Sequence, residues 1–246
     1  MKFSIITVCY NSENTIERTI QSVLAQDYAD IEYILVDGNS KDNTLNIIKK
    51  YGPEFMSKGI EYKYISEQDS GMYDAINKGI KMATGEIIAV LNSDDWYEKD
   101  AIGSVMQSVS EGDADIYMGA INVINGSQII KKYAKDKKYK TSRDFNHPAM
   151  FVRTECYEQV GLYRLGNIHN DYEWYLRANK MGKTVRIIDT IITNYPTGGA
   201  GSVKSLKNTI KRIGTKYEIY KVNGYSRLYF IECFVQEIAK YILLKG

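Results

Sequence analysis

Over the first hundred or so residues, continuous apolar runs alternate with apolar stripes at helical spacing. Phe3–Cys9 (FSIITVC) is almost unbroken in hydrophobicity, the pattern of a strand buried on both faces. Tyr10-Asn11-Ser12 interrupts it. Ile16, Ile20, Val23 and Leu24 then share one stripe, which predicts a helix over about 15–26, with Asn14 and Glu17 placed as a capping box. Ile31–Val36 is a second buried strand and closes on Asp37-Gly38-Asn39-Ser40. Asp42 can cap a helix to Tyr51, where Gly52-Pro53 is expected to stop it. Ile60–Ile65 reads as a third strand, ending in Ser66-Glu67-Gln68-Asp69, and Met72, Ile76, Gly79, Ile80 and Ala83 mark a third helix ended by Gly85. Ile87–Leu91 is a fourth strand, followed by Asn92-Ser93-Asp94-Asp95.

This alternation predicts an α/β fold: a doubly wound, mostly parallel central sheet with helices on both faces. Ligands of such sheets sit outside the carboxyl ends of the strands. All four strands end in polar groups, Tyr10 and Asn11, then Asp37, Asp69, and Asp94 with Asp95, so separated segments would deliver carboxylates to one rim. The second half is less regular. Residues 115–119 and 121–130 have strand character with Asn125-Gly126 as a hairpin turn, 131–143 is a basic, tyrosine-spotted loop, and Asp171–Met181 is helical up to Gly182. A glycine-rich stretch, 197–202 (TGGAGS), precedes an amphipathic helical region from Val203 onward. The organisation expected is one main domain over 1–202, in halves 1–110 and 111–202, and an amphipathic helical appendage at 203–246.

Composition narrows the classes. With 246 residues, 44% of them hydrophobic, one sizeable core is affordable. The net charge of +2 gives no reason to expect nucleic acid. Cys9, Cys156 and Cys233 are odd in number and widely spaced, which suggests neither a disulfide framework nor a zinc cluster and fits a reducing compartment. No signal-peptide pattern and no apolar run of the ~18 residues needed to span a bilayer is seen, so a cytoplasmic protein, soluble or peripheral at the inner membrane face, is expected. The 21 tyrosines offer flat faces with polar tips that suit sugars, although half-buried packing accounts for most such residues. Neither GxGxxG nor GxxxxGK[ST] is present, which removes a dinucleotide fingerprint and a P-loop.

Asp94-Asp95 is either a solvated pair capping the next helix or, with the other carboxylates of the rim, the seat of the chemistry. Hard divalent cations take carboxylate oxygens, and a departing nucleoside diphosphate needs its charge neutralised, so a strand-end acidic pair can hold Mn²⁺ or Mg²⁺ against it. Asp37 and Asp69 can accept hydrogen bonds from a base or ribose, although each alone is an ordinary turn residue. Taken in order, SIITVCYN at 4–11, VDGNSKDNT at 36–44, DSGMYDAINKGIKMATGE at 69–86 and LNSDDW at 91–96 resemble the inverting family 2 glycosyltransferases of GT-A fold, and NDYEWYLR at 170–177 resembles their acceptor-side acidic motif. The resemblance covers roughly residues 3–200. GMYDAINKG and GGAGS are similar to members that build bacterial surface polysaccharides, including lipopolysaccharide O-antigen and capsule units. It implies that Asp37 contacts the nucleotide base, usually uracil, Asp94 lies near ribose and sugar, Asp95 binds the metal, and Asp171 is the general base. Many members have Glu-Asp where this chain has Asn170-Asp171, a departure that touches acceptor detail. The implied partners are a nucleotide-sugar donor, a UDP-hexose or UDP-N-acetylhexosamine, and a glycan or lipid-linked acceptor.

Residue spacing gives Asp171 separate support. Asp171 and Glu173 lie on nearly opposite faces of a helix, and Glu173 has Arg177 four residues on, an ordinary helix ion pair worth about 0.3–0.5 kcal/mol. His147, His169 and Trp174 are candidates for the acceptor side, and Trp96, like Trp174, for a sugar-stacking wall. Leu228, Ile231, Val235, Ile238 and Ile242 recur at helical spacing, fitting either a membrane-facing helix or one packed on the domain. Two other classes compete: a nucleotide-sugar-forming nucleotidyltransferase, for which Tyr10-Asn11-Ser12-Glu13 is a poor triphosphate loop, and a non-catalytic carbohydrate-binding subunit.

Overall fold

The computed structural model describes residues 1–198 and 205–243. Residues 199–202 of the glycine-rich stretch therefore lie outside the described residues. The four buried strands expected from the apolar runs form as β1 (Phe3–Cys9), β2 (Ile31–Asp37), β3 (Glu61–Ser66) and β4 (Ile87–Val90), interleaved with α1 (Ile16–Leu24), α2 (Thr44–Ser57) and α3 (Met72–Met82). They are parallel in the order β3-β2-β1-β4. The chain winds outward from β1 to β3, then returns to the other side of β1. The switch point thus falls between the carboxyl ends of β1 and β4, where such sheets open a crevice.

Beyond β4 come β5 (Trp96–Tyr97), α4 (Ala101–Ser110), the hairpin β6 (Ile116–Asn125) and β7 (Gln128–Lys132), β8 (Met150–Arg153), α5 (Thr154–Val160), α6 (Asn170–Lys180) and β9 (Val185–Pro196). The sheet continues β4-β8-β6-β9-β5 with β7 on β6; β6 and β9 are parallel, and the other pairings of this half are antiparallel. Helices α7 (Leu206–Val222) and α8 (Tyr229–Leu243) end the chain described. One apolar cluster lies under α1, α2 and α4 and includes Ile20, Phe55 and Ile102; the other lies under α3, α5 and α6 and includes Ile76, Cys156 and Trp174. Both faces of the sheet are covered. Ile213, Tyr220, Tyr229 and Cys233 belong to this second cluster, so α7 and α8 share the core of the preceding domain.

Two local expectations fail for tertiary reasons. Helix α2 does not stop at Gly52-Pro53 but runs through Pro53 to Ser57. Phe55, fully buried, stacks on Tyr62 at 4.7 Å and packs against Tyr33, which holds the extra turn, while the proline leaves unpaired only the carbonyl of exposed Lys49. The capping box of α1 is absent. Glu17 instead reaches across to α2, accepting from Lys50 Nζ at 2.9 Å and Tyr51 Oη at 2.8 Å. Gly79 has a packing reason, since a Cβ there would collide with Ile6; its absence seats α3 directly on β1.

Candidate active site

The crevice is assembled by loops that leave β1, β2, β3 and β4. Asn11 and Asn39 both take a left-handed backbone (φ 48° and 64°), the tight reversal that brings the first two loops together. Asn11 N–H donates to Ser40 Oγ at 2.8 Å and Asn11 Oδ1 accepts Lys41 N–H at 2.8 Å, while Ser12 Oγ lies 2.9 Å from Ser93 Oγ and so joins the ends of β1 and β4.

Asp37 differs from expectation. It is fully buried beneath the rim, and its carboxylate accepts from Ser40 N–H, Ser40 Oγ and, at 2.6 Å, Ser66 Oγ. It holds the ends of β2 and β3 in register and offers no exposed oxygen to a base. Asp69 takes the outer position. Its Oδ1 accepts Gly71 N–H at 2.8 Å, and its Oδ2 lies 2.5 Å from where a Cβ on Gly38 would stand, with the Tyr10 ring 3.5 Å from the same point. Gly38 therefore leaves a notch flanked by a carboxylate and an aromatic ring that is 62% exposed.

Asp94 and Asp95 follow β4. Arg18 of α1 stacks over Trp96 at 3.5 Å and donates to Asp94 O at 3.1 Å, which occupies a face of Trp96 that the sequence left open for a sugar. Asp95 is fully buried; its Oδ2 accepts Asn92 Nδ2 at 3.3 Å, and its Oδ1 has no hydrogen-bond partner among the described residues. Burial, reinforced by the charge of Asp94, pushes the Asp95 carboxyl well above the usual range. A buried carboxylate oxygen without a donor is costly unless a cation or a proton meets it. No group of three or more His, Cys, Asp or Glu side chains able to hold a metal occurs among the described residues.

Across the crevice, Asp171 lies in the first turn of α6, where the helix dipole favours a carboxylate. Its Oδ1 accepts Tyr172 N–H at 2.7 Å and is 3.1 Å from Tyr73 Oη of α3. Tyr195, near the end of β9, feels charge from both sides: burial raises its phenol pKa, and the charges of Asp95, Asp94 and Asp171 add to the rise. His147 is buried beside Tyr163 (Nε2 to Oη 3.4 Å), and burial pulls it below the usual histidine range against the charge of Asp171. His169 directly precedes α6; burial lowers it too, and its Nε2 has no partner among the described residues. Lys132, expected in a loop, ends β7 instead; burial brings it down to about 8, with Asp171 acting in the opposite direction.

Two residues of α6 depart from expectation. Trp174 is fully buried, donates Nε1–H to Gly161 O at 2.6 Å and packs on Tyr157 and Tyr163, so it has no face for a sugar. Glu173 is no surface ion pair: it is 1% exposed and meets Arg164 at 3.1 Å, Arg177 at 3.4 Å and Asn223 Nδ2 at 3.2 Å. Tyr73 and Tyr195 were missed, because nothing separates them from 19 other tyrosines without a fold.

Residues 4–164 match the sequence profile of Glycosyl transferase family 2. The chain belongs to that family. It is a glycosyltransferase, which leaves the nucleotidyltransferase and non-catalytic readings without support. A "PGL/p-HBAD biosynthesis glycosyltransferase" of Mycobacterium bovis (strain BCG / Pasteur 1173P2) is 27% identical over 217 residues, 86% of this chain and 83% of that relative. Among solved structures, S. aureus TarS 1–349 in complex with UDP-GlcNAc superposes with a TM-score of 0.69 at 19% identity, covering 100% of this chain and 74% of that one. The mannosyltransferase PcManGT from Pyrobaculum calidifontis, in complex with GDP-Man and Mn²⁺, gives 0.69 at 15% identity, covering 99% and 70%. This family 2 glycosyltransferase accordingly has the GT-A fold that its motifs resembled.

Proposed function

We propose that this glycosyltransferase transfers a hexose or N-acetylhexosamine from a UDP-sugar, with inversion, to a hydroxyl of a glycan or lipid-linked acceptor in surface-polysaccharide synthesis. The observation that carries the reading is Asp95, fully buried just past the carboxyl end of β4 with a carboxylate oxygen that has no partner among the described residues. Asp95 would hold Mn²⁺ or Mg²⁺, with Asp94 toward the ribose and sugar. The cation, when bound, neutralises the diphosphate as it leaves. The notch at Gly38 would take the base, Tyr10 against its face and Asp69 accepting from its edge, with Asp37 as support beneath. The acceptor O–H proton passes to Asp171 as the oxygen bonds to the anomeric carbon and the bond to the diphosphate oxygen breaks. His147 and His169 border the acceptor side. The complexes of TarS with UDP-GlcNAc and of PcManGT with GDP-Man and Mn²⁺ support a nucleotide-sugar donor.

No described helix is long and apolar enough to cross a membrane. Peripheral contact at an inner membrane face would use α8 and the turn before it, where Leu228, Ile231, Val235 and Ile242 are 57–70% exposed, while Ile238 packs on the core. The donor reading is tested by melting. UDP should raise the melting temperature more with Mn²⁺ than with EDTA, and Asp95→Asn should abolish the difference. An equal response of wild type and variant would remove Asp95 as the metal ligand.

A further inference from the structure

We propose that Tyr73 is the positioning residue of the catalytic base: its phenol holds the Asp171 carboxylate aimed at the acceptor. This rests on the reading of Asp171 given above and deepens it.

Tyr73 lies on α3, in the donor half, yet its hydroxyl reaches across to the acceptor half. Its Oη is 3.1 Å from Asp171 Oδ1 and 3.0 Å from Ile168 O. A phenol has one proton, so these two acceptors compete for it. A charged carboxylate is the stronger acceptor. While Asp171 is ionised the proton points to it. Once Asp171 is protonated, the carbonyl of Ile168 becomes the better partner and the phenol can turn away without losing a bond. Burial holds the phenol far above its usual range, and the nearby Asp171 charge reinforces this, so it remains a donor throughout the working range of pH.

The geometry is braced. The Tyr73 ring stacks on Tyr163 at 5.8 Å, and one turn along α3 the Asn77 amide grips the backbone of Tyr163 twice, Nδ2 donating to its O at 2.8 Å and Oδ1 accepting its N–H at 2.9 Å. Asn170 Nδ2 in turn donates to Arg164 O at 2.6 Å. The loop that delivers Asp171 is therefore pinned to the same face of α3 that carries the phenol. The titratable and charged groups facing Asp171 are Tyr73 from α3, Lys132 from β7, His147 and Tyr163 from the connecting segments, His169 before α6, and Tyr195 from β9. Of the tyrosines among them, Tyr73 is the one hydrogen-bonded to the carboxylate.

The test is the split between kcat and KM, measured as release of UDP from one donor–acceptor pair, for wild type, Tyr73→Phe and an enzyme with 4-fluorophenylalanine at 73, with Asp171→Asn as reference. Removing the phenol proton that aims the carboxylate should lower kcat about tenfold or more, with the donor KM kept. 4-Fluorophenylalanine fills the place of the hydroxyl with no proton to give and should lose the same factor. It also decides the matter if Tyr73→Phe fails to fold. A kcat within about two-fold of wild type with both replacements, in an enzyme that Asp171→Asn inactivates, overturns the role of Tyr73. Full turnover in Asp171→Asn would instead overturn the assignment of the base.

Discussion

The sharpest separation of chemistry from scaffold on α6 is Glu173→Gln. Glu173 is two residues from the proposed base, and its carboxylate binds together α6, the preceding loop through Arg164, and the end of α7 through Asn223. Glutamine keeps the shape but replaces one oxygen with an N–H₂ group that must face a guanidinium. Arg164 is half exposed and contributes little, about 0–1 kcal/mol. Arg177, 18% exposed, would keep only its bonds to Val160 O and Leu162 O, and a lost charged hydrogen bond there costs about 1.5–3 kcal/mol. The sum is about 1.5–4 kcal/mol, at or below the cost of stranding one member of a fully buried pair. For a chain of this size the melting temperature should fall by roughly 3–16 °C. Differential scanning fluorimetry reads this directly. Turnover assayed well below the lowered midpoint should stay within a few-fold of wild type, whereas Asp171→Asn should lose about 10²–10⁴-fold in kcat with little change in melting. A melting temperature unchanged within 1–2 °C would refute the energetic role assigned to the cluster. An inactive but folded Glu173→Gln beside an active Asp171→Asn would mean that the wrong face of α6 points into the crevice.

Glu32 offers a test by pH. Burial alone would raise this fully buried carboxyl, but hydrogen bonds from Lys63, Ser4 and Thr84 outweigh burial and hold it at about 2, against an ordinary 4.5. The stability this adds is present above pH 4.5 and lost as pH falls toward 2, so Glu32→Gln should cost about 2 kcal/mol near neutrality and flatten the acid limb of the melting curve; parallel limbs would refute the coupling. On α8, serine at Phe230, Ile231, Phe234 and Val235, all exposed, should leave melting nearly unchanged yet weaken binding to anionic liposomes, and undiminished binding would take the membrane surface elsewhere. Deletion from Tyr225 is the poorer experiment, because it would also remove buried Tyr229 and Cys233.

The strands of the first half were legible because burial on both faces leaves no polar position to blur the run: β1 and β2 are buried at every residue. Even Glu32 conforms, hidden in β2 by its partners. Strand β9 was not legible. Its twelve residues, VRIIDTIITNYP, pair with β6 along one edge and with β5 near the end, and the register shifts beside Gly119 and Ala120 break the twofold alternation that would have marked it. Pro53 misled for a related reason. The proline rule weighs one lost hydrogen bond, whereas the extra turn of α2 is held by Phe55 packing, which only tertiary contact reveals.

For the site, the sequence located the rim and misread its depth. Parallel strands must end together, so Asp37, Asp69 and Asp94-Asp95 were bound to gather at one edge whatever each does there. Which acid faces outward depends on neighbours the strand pattern does not specify. Ser40 and Ser66 hold Asp37 beneath the surface, and the missing side chain at Gly38 admits Asp69 to the position above it. Asp95 is set apart by the reverse condition, an oxygen that burial has left without a donor. The same physical demand therefore sorts three aspartates at the ends of three strands. A carboxylate saturated by hydroxyls and N–H groups is structural, one bonded on one side is open on the other, and one buried and unsatisfied is costly until a cation or a proton meets it. Tyr73 enters by that accounting too, since what sets it apart is its hydrogen bond to the Asp171 carboxylate and not any motif around it.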